Sequence, residues 1–303
     1  MGKKNRLMAL TGILLGLVSC TEPIVVHTAD IDRTYLIVEG LLTDTPGRDQ
    51  FVKLSQSINY FDDREVPRIS GATVTVSDGE REVLFAENPE NPGEYRAPEE
   101  FKAELDKTYR LDIDAVVDGV RHRYEAEAEM PELGFDLEKI DYTYNGNTAA
   151  KLDSLWTVLM WGKDDVKLEN NFIAYISVND KRLPLGSCLM IHDKYFQGKR
   201  IEKFPVGLLY QTAANRKQYG DCAKFLEEGD VIQLEGYALS DAYYRFLLTL
   251  HGDGGLSSMP LMSSQPANPE TNVHGDADVL GFFAVCSTAY ASVTVSNPFQ
   301  VIQ

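Results

Sequence analysis

The chain has 303 residues, with 29 Lys and Arg against 46 Asp and Glu, and a formal charge of −17. So acidic a protein is a poor ligand for phosphate backbones, which are bound by clustered Lys and Arg, and it is repelled by anionic lipid head groups. No nucleic-acid partner is expected, and the simplest role for the charge is solubility.

The N-terminus comes first. Lys3, Lys4 and Arg6 precede a short apolar stretch from Leu7 to Val18. A permanent spanning helix needs about 20 apolar residues, so residues 1–19 read as a cleaved signal peptide. Leu17-Val18-Ser19-Cys20 fits the lipobox pattern, a small residue ahead of a cysteine. Cys20 is therefore expected to carry the lipid, and several acyl chains at about 0.8 kcal/mol per buried methylene make a lasting anchor. The alternative is an ordinary signal peptide that happens to end in a cysteine. Loss of the three basic residues leaves the mature chain more acidic still. Its membrane attachment is expected through the N-terminal lipid alone.

About 280 residues remain, enough for two modest domains with their own cores. Residues 20–32 read as a lipidated tether, polar and containing Pro23. Residues 33–131 read as an Ig-like or transthyretin-like β-sandwich. Its strands are expected at Tyr35–Val38, Phe51–Ser55, Ala72–Val76, Val83–Phe85 and in a hairpin, Tyr109–Ala115 with Val120–Glu129, turned at Asp118-Gly119. In the first arm of that hairpin Tyr109, Leu111 and Ile113 alternate with Arg110, Asp112 and Asp114, so one face is core and the other wet. Met130-Pro131 ends the sandwich. Residues 132–303 form a second β-rich domain, with strands at 137–144, 155–161, 172–178, 231–239, 280–285 and 292–295. Turns are expected at Asn179-Asp180 and Asp164-Asp165. One helix is expected near 240–251, with Ser240 as N-cap, Asp241 in the first turn, and Ala242, Tyr243, Phe246, Leu247 and Leu250 on one stripe.

With Cys20 spent on lipid, Cys188, Cys222 and Cys286 remain, and an exported compartment permits one bridge among them. Cys188 and Cys222 lie in a loop-rich stretch and are the expected pair, which would stabilise by about 3 to 4 kcal/mol on the chain-entropy model. Cys286, in an apolar run, is expected to be a buried free thiol.

Several segments resemble a family of Bacteroidota outer-membrane lipoproteins catalogued as domain of unknown function 4249. They are 36–44 (LIVEGLLTD), 52–55 (VKLS), 70–76 (SGATVTV), Gly229-Asp230, 240–244 (SDAYY), 266–269 (PANP) and 280–283 (LGFF). The segment His274-Gly275-Asp276-Ala277-Asp278 departs from the family pattern, which has more glycine there. The resemblance implies an outer-membrane lipoprotein associated with a TonB-dependent channel, facing either the surface or the periplasm. It brings no reaction, cofactor or catalytic residue with it.

The familiar catalytic signatures are missing from the sequence. There is no Gly-x-Ser-x-Gly elbow, no His-Glu-x-x-His, no phosphate-binding Gly-x-x-x-x-Gly-Lys and no dinucleotide fingerprint. His251, Asp253, His274, Asp276 and Asp278 form two His-Gly-Asp tripeptides flanking a long loop. Imidazole and carboxylate suit a divalent metal, although helix ends and turns look the same. Trp156 and Trp161 are five apart on a strand and so face opposite sides. One of them lining a ligand pocket is weighed against both packing in the core. The leading expectation is a non-enzymatic accessory protein in nutrient capture or uptake, with no cofactor. An adhesion or interaction module without a small ligand is the second reading, and a hydrolase with a site between the domains is the third.

Overall fold

In the computed structural model the described residues are 34–58, 64–146, 154–165, 168–183, 189–192, 196–211, 226–251 and 269–302. The first strands are β1 (Leu36–Thr43), β2 (Phe51–Gln56), β3 (Thr73–Ser77), β4 (Glu82–Glu87), β5 (Glu94–Arg96), β6 (Thr108–Val117) and β7 (Val120–Glu129). Next come β8 (Phe135–Gly146), β9 (Ser154–Asp164), β10 (Asn171–Val178), β11 (Lys181–Arg182), β12 (Leu189–His192), β13 (Arg200–Gln211) and β14 (Val231–Leu239). Helix α1 (Asp241–His251) precedes β15 (Val273–Gly275), β16 (Val279–Cys286) and β17 (Thr288–Thr294).

Alternation builds the first lobe. Along β6 the side chains of Tyr109, Leu111, Ile113, Ala115 and Val117 are buried, while Arg110 and its neighbours on the other face meet water. The β6–β7 turn has Asp118 and Gly119 both at positive φ, the primed turn that Asp-Gly favours because it matches strand twist. Asn179 and Asp180 make the same conformation between β10 and β11.

Nine strands form the sheet of this lobe, in the order β15-β7-β6-β3-β4-β5-β2-β1-β16. Its core takes side chains from every one of these strands. The sheet's two ends meet at Asn272, whose side-chain amide accepts from the Phe283 N–H at 2.9 Å and donates to the Phe283 carbonyl at 2.8 Å. The same amide nitrogen donates to the Glu127 carbonyl at 3.1 Å. A side chain thus satisfies backbone groups of β16 that would otherwise form an open strand edge.

The first lobe is therefore not continuous in sequence. The chain leaves β7 at Glu129 and enters β8, in the second lobe, at Phe135. However, β15 and β16, which the sequence reading gives to the second domain, belong to the first sheet. β16 pairs parallel with β1, from Leu36 opposite Val279 to Thr43 opposite Cys286. Phe283 and Val285 point into the first core, whereas Phe282, Ala284 and Cys286 pack under α1. Burial on both faces explains why this strand reads as an unbroken apolar run.

The second lobe is a sandwich of two antiparallel sheets. One has the order β11-β10-β14-β17, with β12 also on β10, and the other is β13-β9-β8. The exposed edge strand β13 carries Pro205 and two register shifts, both of which discourage pairing with another chain. Helix α1 begins as expected. The Tyr243 N–H donates to Ser240 Oγ at 3.2 Å and the Asn171 amide donates to Asp241 at 2.7 Å. Its buried stripe is narrower than expected: Phe246 and Leu247 are buried, while Ala242 and Leu250 are exposed. Tyr243 stacks on Phe282 with centroids 5.0 Å apart.

A polar cluster ties the lobes together. Arg48 and Asp49, in the β1–β2 turn, reach Glu235 and Tyr237 on β14. Arg48 and Arg182 both pair with Glu235, and the Tyr237 hydroxyl donates to Asp49 at 2.5 Å. The Arg182 guanidinium lies 4.4 Å from the Tyr175 ring centroid and donates to the Tyr237 oxygen at 2.8 Å. Burial, reinforced by the Asp49 carboxylate, pushes the Tyr237 phenol well above its ordinary range and keeps it a neutral donor.

Candidate functional site

Side-chain size falls along the inner face of the second sandwich. Register places Val178, Ile232 and Val293 in one row across β10, β14 and β17. The next row is Ile176, Leu234 and Ala291, and the third is Ala174, Gly236 and Ala289. On the facing sheet Trp156 and Val158 are wholly buried and fill the first part of the core. The third row supplies almost no volume, and a cavity of about 60 Å³ remains over it. Phe135, Leu137, Met160, Phe172, Ile191 and Val206 are among the residues of its wall. Phe135 and Phe172 meet edge to face at 6.0 Å, the arrangement favoured by their ring quadrupoles.

The cavity adjoins an open polar groove of about 670 Å³, and Phe135 and Asp164 line both. Asp136, Lys163, Asp165, Gly134 and Gly198 line the rest of the groove. Asp164 is 2% exposed; its Oδ2 accepts from the Gly198 N–H at 2.8 Å, and its own N–H donates to the Lys199 carbonyl at 3.1 Å. Gly162 lets the Phe135 ring lie across β9, since a Cβ there would be 2.4 Å from Phe135 Cζ. Among the described residues, the site pairs a small, mostly apolar recess with a groove lined by Asp136, Asp164, Asp165 and Lys163.

The residues singled out from sequence lie elsewhere. Trp156 is core, and its Nε1–H donates to the Pro298 carbonyl at 2.6 Å. With Tyr142, whose hydroxyl donates to the Asn297 carbonyl at 3.0 Å, it fastens the C-terminal tail. Trp161 faces the other way, with the Lys139 ammonium 4.4 Å from its ring centroid. Neither tryptophan lines the cavity. Asp276 is held by His122, Nδ1 to Oδ1 at 2.9 Å, and accepts from the Arg123 N–H at 3.3 Å. His274 and Asp278 are exposed. Among the described residues no three His, Cys, Asp or Glu side chains are grouped to hold a metal ion. Asp253 and the His251 side chain lie outside the described residues, as do Cys20, Cys188 and Cys222. Cys286 is a free, buried thiol, and burial pushes its pKa up. No helix among the described residues is long and apolar enough to cross a membrane.

Sequence reasoning missed Phe135, Asp164 and the row Ala174-Gly236-Ala289. Each small residue is unremarkable in its own strand, and they become one feature only when the register is known.

Fold and site together define a mainly β, two-lobed protein with an apolar recess inside its second sandwich. The chain belongs to the family described as domain of unknown function (DUF4249), whose model matches residues 21–291. No curated protein matches it.

Proposed function

We propose that this protein is a lipid-anchored accessory protein of the outer membrane, non-enzymatic, working beside a TonB-dependent channel in nutrient capture or uptake. The observation that carries the reading is the N-terminal sequence. A basic and apolar leader ends in Leu17-Val18-Ser19-Cys20, and the first strand follows at Leu36. A fully extended segment from Cys20 to β1 reaches about 50 Å at about 3.4 Å per residue, enough to hold the folded body beside a membrane partner. The recess and groove of the second lobe support capture of a small ligand, since ligand sites are typically concave and apolar with a few polar groups. The association with a TonB-dependent channel is the expectation drawn from the family resemblance.

A second reading, an interaction module, is favoured by one observation. The outer face of β3, β6, β7 and β15 presents a groove of about 660 Å³ lined by Arg110, Asp112, Asp114, Arg123, Glu125 and Asp276. A ladder of both charges suits a complementary protein surface.

The test is gentle detergent extraction of native membranes carrying a C-terminally tagged protein, followed by mass spectrometry of what co-purifies. A stoichiometric TonB-dependent channel supports the accessory reading. Recovery of the protein by itself, under extraction that preserves known channel complexes, overturns it.

A further inference from the structure

We infer that the first lobe binds a neutral sugar, one ring in size, in a cavity beside the β3–β4 turn, where a sugar oxygen accepts from the Tyr109 hydroxyl. The site lies in the other lobe from the recess over Gly236, and the inference does not rest on the accessory reading.

The cavity has a volume of about 300 Å³, at the small end of ligand sites. It opens where β3 turns into β4 and where the chain from Pro98 to Lys107 leads into β6. Val76, Val83, Pro98 and Phe101 give it an apolar wall. Phe101 stands edge to face with Phe85 at 5.8 Å and with Tyr109 at 6.5 Å, so its ring is held from two sides. Water against such a wall finds few partners, and its displacement by C–H groups is favourable.

The Tyr109 hydroxyl selects the class of ligand. Tyr109 is 2% exposed, and its oxygen accepts from the Glu104 N–H at 2.7 Å. Among the described residues its own proton has no acceptor. Burial raises the phenol above its ordinary range, so at neutral pH that proton stays in place. A buried donor left in this state costs free energy, which an oxygen in the cavity would relieve. The charges acting on the hydroxyl are those of Lys107, Glu104 and Asp78. Lys107 Nζ is 2.7 Å from Asp78 and 3.1 Å from Glu104, so two carboxylates share one ammonium, with Glu80 a further 3.9 Å neighbour. An incoming carboxylate would meet repulsion there, and an ammonium has no lone pair with which to accept. A neutral oxygen escapes both penalties.

The mouth narrows the choice further. Exposed Arg81 and Lys102 offer donors there and exposed Glu100 offers an acceptor. Over the whole lining, Asp78, Glu100 and Glu104 balance Arg81, Lys102 and Lys107, so no net charge favours an ionic ligand. Hydroxyls both donate and accept and can use either kind of partner, whereas a carbonyl uses only the donors. A ring with hydroxyls on its edge and C–H groups on its face answers both the mouth and the wall.

The test is an amide NMR titration of the chain from residue 20 carrying Cys20→Ser. The probes are glucose, galactose and mannose, each beside its uronate and its 2-amino analogue, at about pH 6 so that the amine is charged. At least one neutral hexose is expected to shift the Arg81 and Glu104 amides saturably, with its uronate and amino sugar about fivefold weaker or worse. Tyr109→Phe is expected to weaken that hexose about fivefold, the worth of one neutral hydrogen bond. Arg81→Ala with Lys102→Ala, both on exposed side chains, is expected to weaken it about tenfold at an unchanged thermal midpoint. The inference is overturned by the absence of saturable shifts at these amides with all three hexoses, or by equal or tighter binding of a charged analogue. Unchanged affinity in either variant, shown to be folded, overturns it as well. Co-purification with a channel is measured separately, so failure to bind sugar leaves the accessory reading standing.

Discussion

Gly281 sits in β16 at a φ of +105°, and a Cβ there would lie 1.9 Å from the Val38 carbonyl oxygen on β1. Only glycine lets the parallel pair approach at this point, since left-handed strain and collision act together for any other residue. Gly281→Ala is expected to destabilise the protein by at least about 3 kcal/mol, read as a lower urea midpoint with an unchanged slope. At the other end of the lobe Asp78 caps the turn after β3. Its Oδ2 accepts from Lys107 at 2.7 Å, and its Oδ1 accepts from the Arg81 and Glu80 N–H groups at 2.8 and 3.0 Å. Lys107 first, then these backbone donors, lower the Asp78 pKa from 3.8 to about 2. A depressed carboxylate contributes stability that is complete above its unfolded pKa and lost as pH falls through the folded one. The contribution of Asp78 is thus expected to be full above about pH 4 and to disappear toward pH 2. Asp78→Asn should flatten that part of the stability–pH curve, measured by urea unfolding at successive pH values. The Asp78-Gly79 turn is legible in the sequence. Lys107 as its partner is not, because the contact spans 29 positions and depends on how β6 returns beside β3.

At the scale of elements, period-two alternation reveals strands whose one face is wet. Tyr109, Leu111 and Ile113 against Arg110, Asp112 and Asp114 give β6 and its partner β7 almost to their ends. Ser240 and Asp241 likewise place the start of α1, where capping chemistry is local. Short strands such as β5 and β15 carry too few residues for a period to show and exist only because neighbours pair with them. Asn272 belongs to this scale, as a side chain that substitutes for a strand. Asn272→Ala should leave the Phe283 N–H without its acceptor, at a cost of about 1 to 3 kcal/mol for a buried polar group. The measurement is native-state hydrogen exchange, with the Phe283 amide expected to lose protection well before the amides at the centre of β6. The recess also belongs here. Ala174, Gly236 and Ala289 are separated by more than fifty positions from end to end of the row, and only the register of β10, β14 and β17 makes them one floor.

For the whole molecule, the return of β15 and β16 to the first sheet binds the two lobes into one folding unit. A fragment ending at residue 131 lacks Val273, Phe283 and Val285 from its core and bares the edges of β1 and β7. Such a fragment is expected to show no cooperative urea transition and to aggregate, whereas the full chain unfolds as one; a two-state transition in the fragment would contradict this. The Arg48–Glu235–Arg182 cluster adds a second tie between the lobes, made by groups on both sides of the residue-131 boundary. By itself the sequence determined the acidic composition, the mainly β class, the hairpin at Asp118-Gly119, the turn at Asn179-Asp180, the capped helix and the buried state of Cys286. These follow from local propensity and from which residues avoid water. Only the tertiary structure decided that β16 pairs parallel with β1, that Trp156 fastens the C-terminal tail, that Asp276 pairs with His122, and where a void remains. The physical reason is that strand partnership and packing volume are set between segments far apart in the chain, and neither leaves a periodic mark on the residues that take part.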